Sequence, residues 1–168
     1  MHIFLTGFMG VGKTTIGKEL SVITHLPFID LDEQITQITS KSIPELFKEK
    51  GEYEFRIIER NALLDILKIT KTKTIIALGG GTMASSTNAI DIIQNGVCVY
   101  LHKPWEEIAK TSSRLEGRPL IKQKSLSELE SIFRKREAFY ELSQLKMPIN
   151  SGFTPLKLAQ TLRLSTNR

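Results

Sequence analysis

Between Gly7 and Thr14 the chain reads GFMGVGKT, which satisfies G-x-x-x-x-G-K-[ST] in full. Glycines at these intervals let successive backbone N–H groups turn inward around phosphate oxygens, assisted by the positive end of the helix that follows. Gly7, Gly10, Val11, Gly12, Lys13, Thr14 and Thr15 are therefore candidates to cradle the phosphates of a nucleoside triphosphate. Lys13 would reach the β- and γ-phosphates, and the Thr14 hydroxyl would ligate Mg²⁺. The competing reading is a glycine-rich strand–helix turn that holds no ligand. The position of the motif, between the apolar HIFLT and an amphipathic stretch, weighs against it. Neither D-x-x-G nor N-K-x-D occurs in the chain, so a GTPase is excluded. A motor ATPase would end a core strand in an acid that helps to hold Mg²⁺, whereas here the apolar run Thr74–Leu78 leads into Gly79-Gly80-Gly81.

Three further groupings could do chemistry. Asp30 and Asp32 follow an apolar strand segment and would point the same way on extended backbone, one towards a metal shell and its neighbour towards a substrate hydroxyl. The competing reading is a helix cap followed by first-turn acids. Arg56 and Glu59 share a helix face, either as a solvated pair or as an anion clamp with its orienting carboxylate. Arg136, within RKREAFY, fits a cationic helix face or a second arm of that clamp. Gly79–Gly81 is a tight turn, or backbone laid bare so that a small ligand can approach closely.

These groups need elements to hold them. Short apolar runs alternate with helical patterns along the chain, the mark of βαβ units around a parallel sheet. Strands are expected at Ile3–Thr6, Pro27–Asp30, Thr74–Leu78, Val97–Leu101 and Met147–Ile149. Helices are expected at Lys13–Thr24, Ile43–Lys50, Tyr53–Ile69, Asn88–Gln94, Trp105–Thr111, Leu126–Gln144 and Pro155–Leu164. Ser42 with Glu45 and Ser125 with Glu128 read as capping boxes. The expected fold class is α/β, a three-layer αβα arrangement with a central five-stranded parallel sheet, in a single domain spanning 1–168. The segment 114–124, RLEGRPLIKQK, is basic and weakly periodic and reads as a mobile loop. The 168 residues suit one domain. Ordinary hydrophobic (40%) and charged (24%) fractions argue against disorder. The lone Cys98 cannot form an internal disulfide and reads as strand core, and no apolar run is long enough to span a bilayer, so a cytoplasmic protein with no membrane partner is expected. Trp105 reads as a helix packing residue.

Taken together, GFMGVGKTT at 7–15, DLD at 30–32, SIPELF at 42–47, GEYEFRIIE at 51–59, LGGGT at 78–82, GRPL at 117–120 and KREAFY at 135–140 resemble the shikimate kinase family. Its fold is the P-loop fold of the nucleoside monophosphate kinases, with a mobile lid. The resemblance runs from Ile3 to about Tyr140. It implies transfer of phosphate from ATP, with Mg²⁺, to the 3-hydroxyl of shikimate, on the route to chorismate and the aromatic amino acids. Lys13, Asp32 and Arg118 would then be catalytic, with Asp32 binding the attacking hydroxyl as its candidate base and Arg118 arriving on the lid over 114–124. Asp30 would hold Mg²⁺ through water beside Thr14. Arg56 and Arg136 would grip the shikimate carboxylate, and Glu59 would orient Arg56. Gly79, Gly80 and Gly81 would pack against the ring, Phe47 and Phe55 would form apolar wall, and the helices over about 32–60 would carry this site. The adenine would lie between Arg114 and the region around Pro155.

Guanidinium forks suit a planar carboxylate, and phosphoryl transfer depends on positioning and charge neutralisation. A P-loop kinase for gluconate or a nucleoside monophosphate is the nearest alternative. The net charge of +5 also admits a nucleotide-dependent module that binds nucleic acid, but the cations are scattered and not interleaved with aromatics. No nucleic-acid partner is expected, and the protein is expected to be a monomer.

Overall fold

The computed structural model describes residues 1–111 and 124–166. Arg114, Arg118 and the expected lid, apart from Lys124, lie outside them. The described elements, in chain order, are β1 (His2–Thr6), α1 (Lys13–Thr24), β2 (Phe28–Asp30), α2 (Leu31–Thr39), α3 (Ile43–Ile69), β3 (Ile75–Ala77), a 3-10 turn (Thr82–Ala84), α4 (Ser86–Asn95), β4 (Gly96–His102), α5 (Trp105–Thr111), α6 (Leu126–Tyr140), β5 (Leu145–Pro148) and α7 (Pro155–Thr161).

The five strands form one sheet in the order β2-β3-β1-β4-β5, and every pairing is parallel. Alternation along the strands feeds two separate cores, as burial on both faces demands. Ile3, Leu5, Ile75, Val99 and Leu101 face α1 and α7 with Ile16, Leu20 and Leu158. Phe4, Ile76, Cys98 and Tyr100 join the opposite core with Leu46, Phe55, Leu63, Ile92, Phe133 and Tyr140. The result is the expected three-layer α/β arrangement. Trp105 is buried and packs edge-on to Phe8 and obliquely on Phe133. β1 is central, with β3 on one side and β4 on the other, so the loop leaving its carboxyl end opens at the point where strand order reverses.

The structure differs from the expected elements in four places. The segment after Asp30 is not extended: α2 starts at once at Leu31, because Asp30 Oδ1 accepts from the backbone N–H groups of Asp32 (2.9 Å) and Glu33 (3.3 Å). Leu31, Ile35 and Ile38 do repeat along α2 at a helical interval, but the helix is only nine residues long. The break expected between the two helices over 43–69 is present at Gly51, whose φ of 78° and ψ of 176° stop helical geometry there, so α3 is two helical segments in one element. α6 ends at Tyr140 instead of running to Gln144. The Gln144 amide is used elsewhere, its Oε1 accepting from Cys98 N at 2.8 Å and its Nε2 donating to Gly96 O at 3.1 Å. β5 therefore begins earlier than expected, and at the sheet edge its residues alternate between half-buried and exposed instead of forming an apolar run. α7 ends at Thr161, three residues short of the expected Leu164. Both capping boxes form, Ser42 with Glu45 and Ser125 with Glu128.

Candidate active site

The loop after β1 needs glycine where the backbone enters the left-handed region: φ is 140° at Gly7, 79° at Gly10 and 98° at Gly12. At Gly7 a Cβ would also meet the Leu101 carbonyl oxygen at 2.6 Å. Lys13 opens α1 but is not on an exposed loop. It is 9% exposed, and its Nζ donates to Gly7 O (2.9 Å) and Phe8 O (3.1 Å). A cavity of about 290 Å³ is lined by Gly10, Gly12, Lys13, Thr14, Thr15, Asp30, Asp32 and Leu78. The Thr14 hydroxyl donates to Asp30 Oδ2 at 2.5 Å. One Asp30 oxygen thus caps α2 while the other faces the phosphate loop. Asp32, in the first turn of α2, lines the same cavity.

The three-glycine turn reaches from this cavity to a second one. A Cβ on Gly79 would lie 3.0 Å from Asp32 Oδ1 and 2.8 Å from Glu59 Oε1, and one on Gly81 would lie 2.5 Å from Arg56 Nη2. Gly79 and Gly81 are therefore required first by the protein's own side chains, which a methyl group would displace. The second cavity, about 570 Å³, includes Arg56, Arg60, Gly81, Asn88, Lys135 and Arg136 in its lining.

Arg56 is held from several sides. Its Nη1 donates to Glu59 Oε2 at 2.8 Å, its Nη2 donates to Glu52 Oε1 at 3.2 Å, and its guanidinium lies 5.3 Å from the centre of the Phe55 ring. Burial opposes its charge, but the Glu59 and Glu52 carboxylates outweigh that and hold its pKa above the ordinary arginine value. Glu59 is 1% exposed, with its other oxygen accepting from the Thr82 hydroxyl at 2.7 Å, so Arg56–Glu59 is not a solvated surface pair. Arg136, on α6, is buried, and its Nη1 lies 3.7 Å from where a Gly80 Cβ would be. Phe47 and Phe55 stack at 4.4 Å between ring centres. Pro155 is the first residue of α7, behind Thr154, whose hydroxyl accepts from Lys157 N; it does not line either of these two cavities.

Sequence reasoning gave no role to three participants. Tyr140 donates its hydroxyl to Gly80 O at 2.5 Å. Burial pushes that phenol well above its usual pKa, with Arg136 and Arg56 pulling the other way, so the hydroxyl remains a donor. Thr82 and Asn88 fasten the turn from behind. The segments LGGGT and KREAFY contained Thr82 and Tyr140, but only the folded chain reveals their partners.

A phosphate loop at the switch point of a parallel sheet, with two acids beside it and an arginine-lined cavity across a glycine turn, defines a P-loop phosphotransferase for a small anionic acceptor. The family model described as shikimate kinase matches residues 9–164. Shikimate kinase of Bacillus subtilis (strain 168) is 37% identical, covering 87% of this chain and 78% of that protein, and that of Parabacteroides distasonis is 40% identical, covering 83% and 82%. Among solved structures, Bacteroides thetaiotaomicron shikimate kinase superposes with a TM-score of 0.84 at 31% identity, covering 98% of this chain and 99% of that one. Shikimate kinase from Acinetobacter baumannii in complex with shikimate gives 0.85 at 31% identity, covering 96% and 90%. A Sinorhizobium meliloti gluconokinase, at 12% identity and a TM-score of 0.55, shares the fold alone. The chain belongs to the shikimate kinase family, enzymes that phosphorylate shikimate at the expense of ATP.

Proposed function

We propose that this chain transfers the γ-phosphoryl group of ATP to the 3-hydroxyl of shikimate and that the residues described above divide the work. The observation that carries this reading is the Gly79–Gly81 turn, which meets Asp32 at one end and Arg56 at the other. An acceptor lying along it has its hydroxyl by the phosphate loop and its carboxylate by the arginines. The A. baumannii relative, a shikimate complex at 31% identity, supports the same acceptor.

Arg56 and Arg136 bind the carboxylate, since guanidinium forks match its geometry and charge. Glu59 fixes the rotamer of Arg56, and the stacked Phe47 and Phe55 form the apolar wall. Asp32 accepts a hydrogen bond from the attacking hydroxyl and stands ready as its base. Gly7, Gly10, Val11, Gly12, Lys13, Thr14 and Thr15 hold the phosphates through backbone N–H groups and the Lys13 ammonium. Removing one such preorganised donor costs on the order of 10²–10³ in turnover. Arg118, from the 114–124 lid, would face the transferring group and exclude water, with Arg114 and Pro155 at the adenine. The Thr14 hydroxyl and the Asp30 carboxylate are hard oxygen donors already in contact, a set that suits Mg²⁺ with several retained waters. An ion held there would supply charge neutralisation to the phosphates. Among the described residues no helix is long and apolar enough to cross a membrane. We place the protein in the cytoplasm as a monomer.

The test is a coupled ADP-release assay with Mg-ATP and shikimate, gluconate or AMP, beside a control lacking acceptor. Turnover with shikimate alone, at about 1–100 per second, is the expected result. Use of gluconate or AMP instead would reassign the arginine cavity, and no ADP from any acceptor would remove the kinase reading.

A further inference from the structure

Behind the site runs a chain of polar contacts whose outer members, Asp91, Arg60 and Asn88, have no part in the reaction as described. The Asp91 carboxylate pairs with Arg60 Nη1 at 2.5 Å, and Arg60 Nη1 donates to Asn88 Oδ1 at 2.9 Å. Asn88 Nδ2 donates to Thr82 O at 3.0 Å, the Thr82 hydroxyl donates to Glu59 Oε1 at 2.7 Å, and Glu59 Oε2 accepts from Arg56 at 2.8 Å. The three inner members are almost wholly buried: Asn88 is 3% exposed, Thr82 0% and Glu59 1%. Chemistry fixes the direction of each link. Arginine can only donate, so the Asn88 oxygen faces Arg60 and its amide nitrogen faces the Thr82 carbonyl. Thr82 has one hydroxyl proton and spends it on Glu59, leaving the other carboxylate oxygen to Arg56.

We propose that Asn88, backed by Arg60 and Asp91, is a positioning residue for Arg56. It acts through two routes that meet at Thr82. One is the hydroxyl link to Glu59, which sets the Arg56 rotamer. The other is the backbone, because Thr82 directly follows Gly81, whose missing Cβ leaves the space that the Arg56 guanidinium fills. A Thr82 carbonyl freed from Asn88 lets the turn shift, and Arg56 loses both its brace and its seat. Arg60 and Asn88 also line the larger cavity, so this tether reaches from the acceptor site to α4.

The proposal rests on the assignment of Arg56 to the acceptor carboxylate. Asn88→Asp keeps size and the Arg60 contact but sets an acceptor against the Thr82 carbonyl. Leaving buried polar groups mismatched in this way should raise KM for shikimate ~10-fold while KM for ATP stays within ~2-fold. In an Arg56→Ala background the same change should add less than ~2-fold, because the group it positions is gone. Arg60→Ala, at a partly exposed site, should raise KM for shikimate ~3-fold, with recovery in Arg60→Lys, which can still donate to Asn88. An unchanged KM for shikimate in Asn88→Asp, or an equal increment in both backgrounds, would overturn the proposal. If Asn88→Asp does not fold, the Arg60 pair decides, and an unchanged KM in Arg60→Ala overturns it. Arg56→Ala alone separates the two ideas: wild-type KM for shikimate there removes the carboxylate assignment and the tether with it, whereas a raised KM there with no effect at Asn88 removes only the tether.

Discussion

Lys13 and Arg136 are the residues whose surroundings most sharply separate a working role from a packing role. The Lys13 ammonium reaches two carbonyl groups of its own loop, Gly7 O and Phe8 O, so its side chain shapes the loop as well as supplying charge. Lys13→Ala should lower kcat on the order of 10²–10³-fold. The two carbonyls lose a donor, so a drop of no more than about 5 °C in Tm is expected alongside. Near-wild-type turnover would remove the lysine from the phosphate site. Arg136 is buried against Gly80, and Tyr140 braces the same glycine through its carbonyl. Arg136→Ala should raise KM for shikimate by at least ~10-fold, the worth of a hydrogen-bonded charge pair, and leave KM for ATP unchanged. Titration of both substrates on the purified variant checks the split.

Among the elements, α3 holds the largest share of the proposed acceptor site, with Phe47, Phe55, Arg56 and Glu59. Its two segments are set at an angle by Gly51, whose φ of 78° and ψ of 176° belong to a region open essentially to glycine alone. Nothing lies within 4 Å of where a Cβ would stand, so Gly51→Ala isolates backbone strain from crowding. A loss of ~1–3 kcal/mol in unfolding free energy is expected, read from the urea midpoint at constant m-value. An unchanged midpoint would mean that the break can straighten without cost. α2 makes a related point. Asp30 caps the helix with one oxygen and accepts from the Thr14 hydroxyl with the other, so the element that presents Asp32 is anchored to the phosphate loop.

For the molecule as a whole, the two cores on either face of the sheet set how stability depends on pH. Cys98 lies in the larger core, where burial pushes its thiol up to about 12 against an ordinary value of 9.0, with the Ser143 hydroxyl pulling slightly the other way. Between those values the folded chain keeps a proton that the unfolded chain releases, so unfolding is favoured progressively as pH rises from about 9 towards 12. Relative to Cys98→Ala, the wild-type protein should lose up to ~1.4 kcal/mol of stability per pH unit above 9. Urea unfolding of both proteins from pH 7 to 10.5 measures this, and parallel curves would place the thiol in contact with solvent. A thiol reagent at pH 8 should accordingly label Cys98 only as fast as the protein unfolds.

The sequence by itself determined the phosphate loop, the parallel α/β architecture, both capping boxes and the family, because each is written in neighbouring residues: glycine spacing, apolar periodicity, and a serine three residues ahead of a glutamate. It also brought Asp30, Asp32, Arg56, Glu59, Arg136 and Gly79–Gly81 forward as site candidates. Only the tertiary structure decided between their readings. Arg56–Glu59 is a largely buried ion pair and not a solvated one because Thr82, 23 residues further on, takes up the second oxygen of Glu59. Asp30 is both cap and phosphate-loop partner because α2 turns at once beneath it. The tether from Asp91 through Asn88 to Arg56 spans 35 residues and has no local pattern, since hydrogen bonds between distant segments depend on which faces the sheet order brings together, and periodicity within a segment does not encode that order.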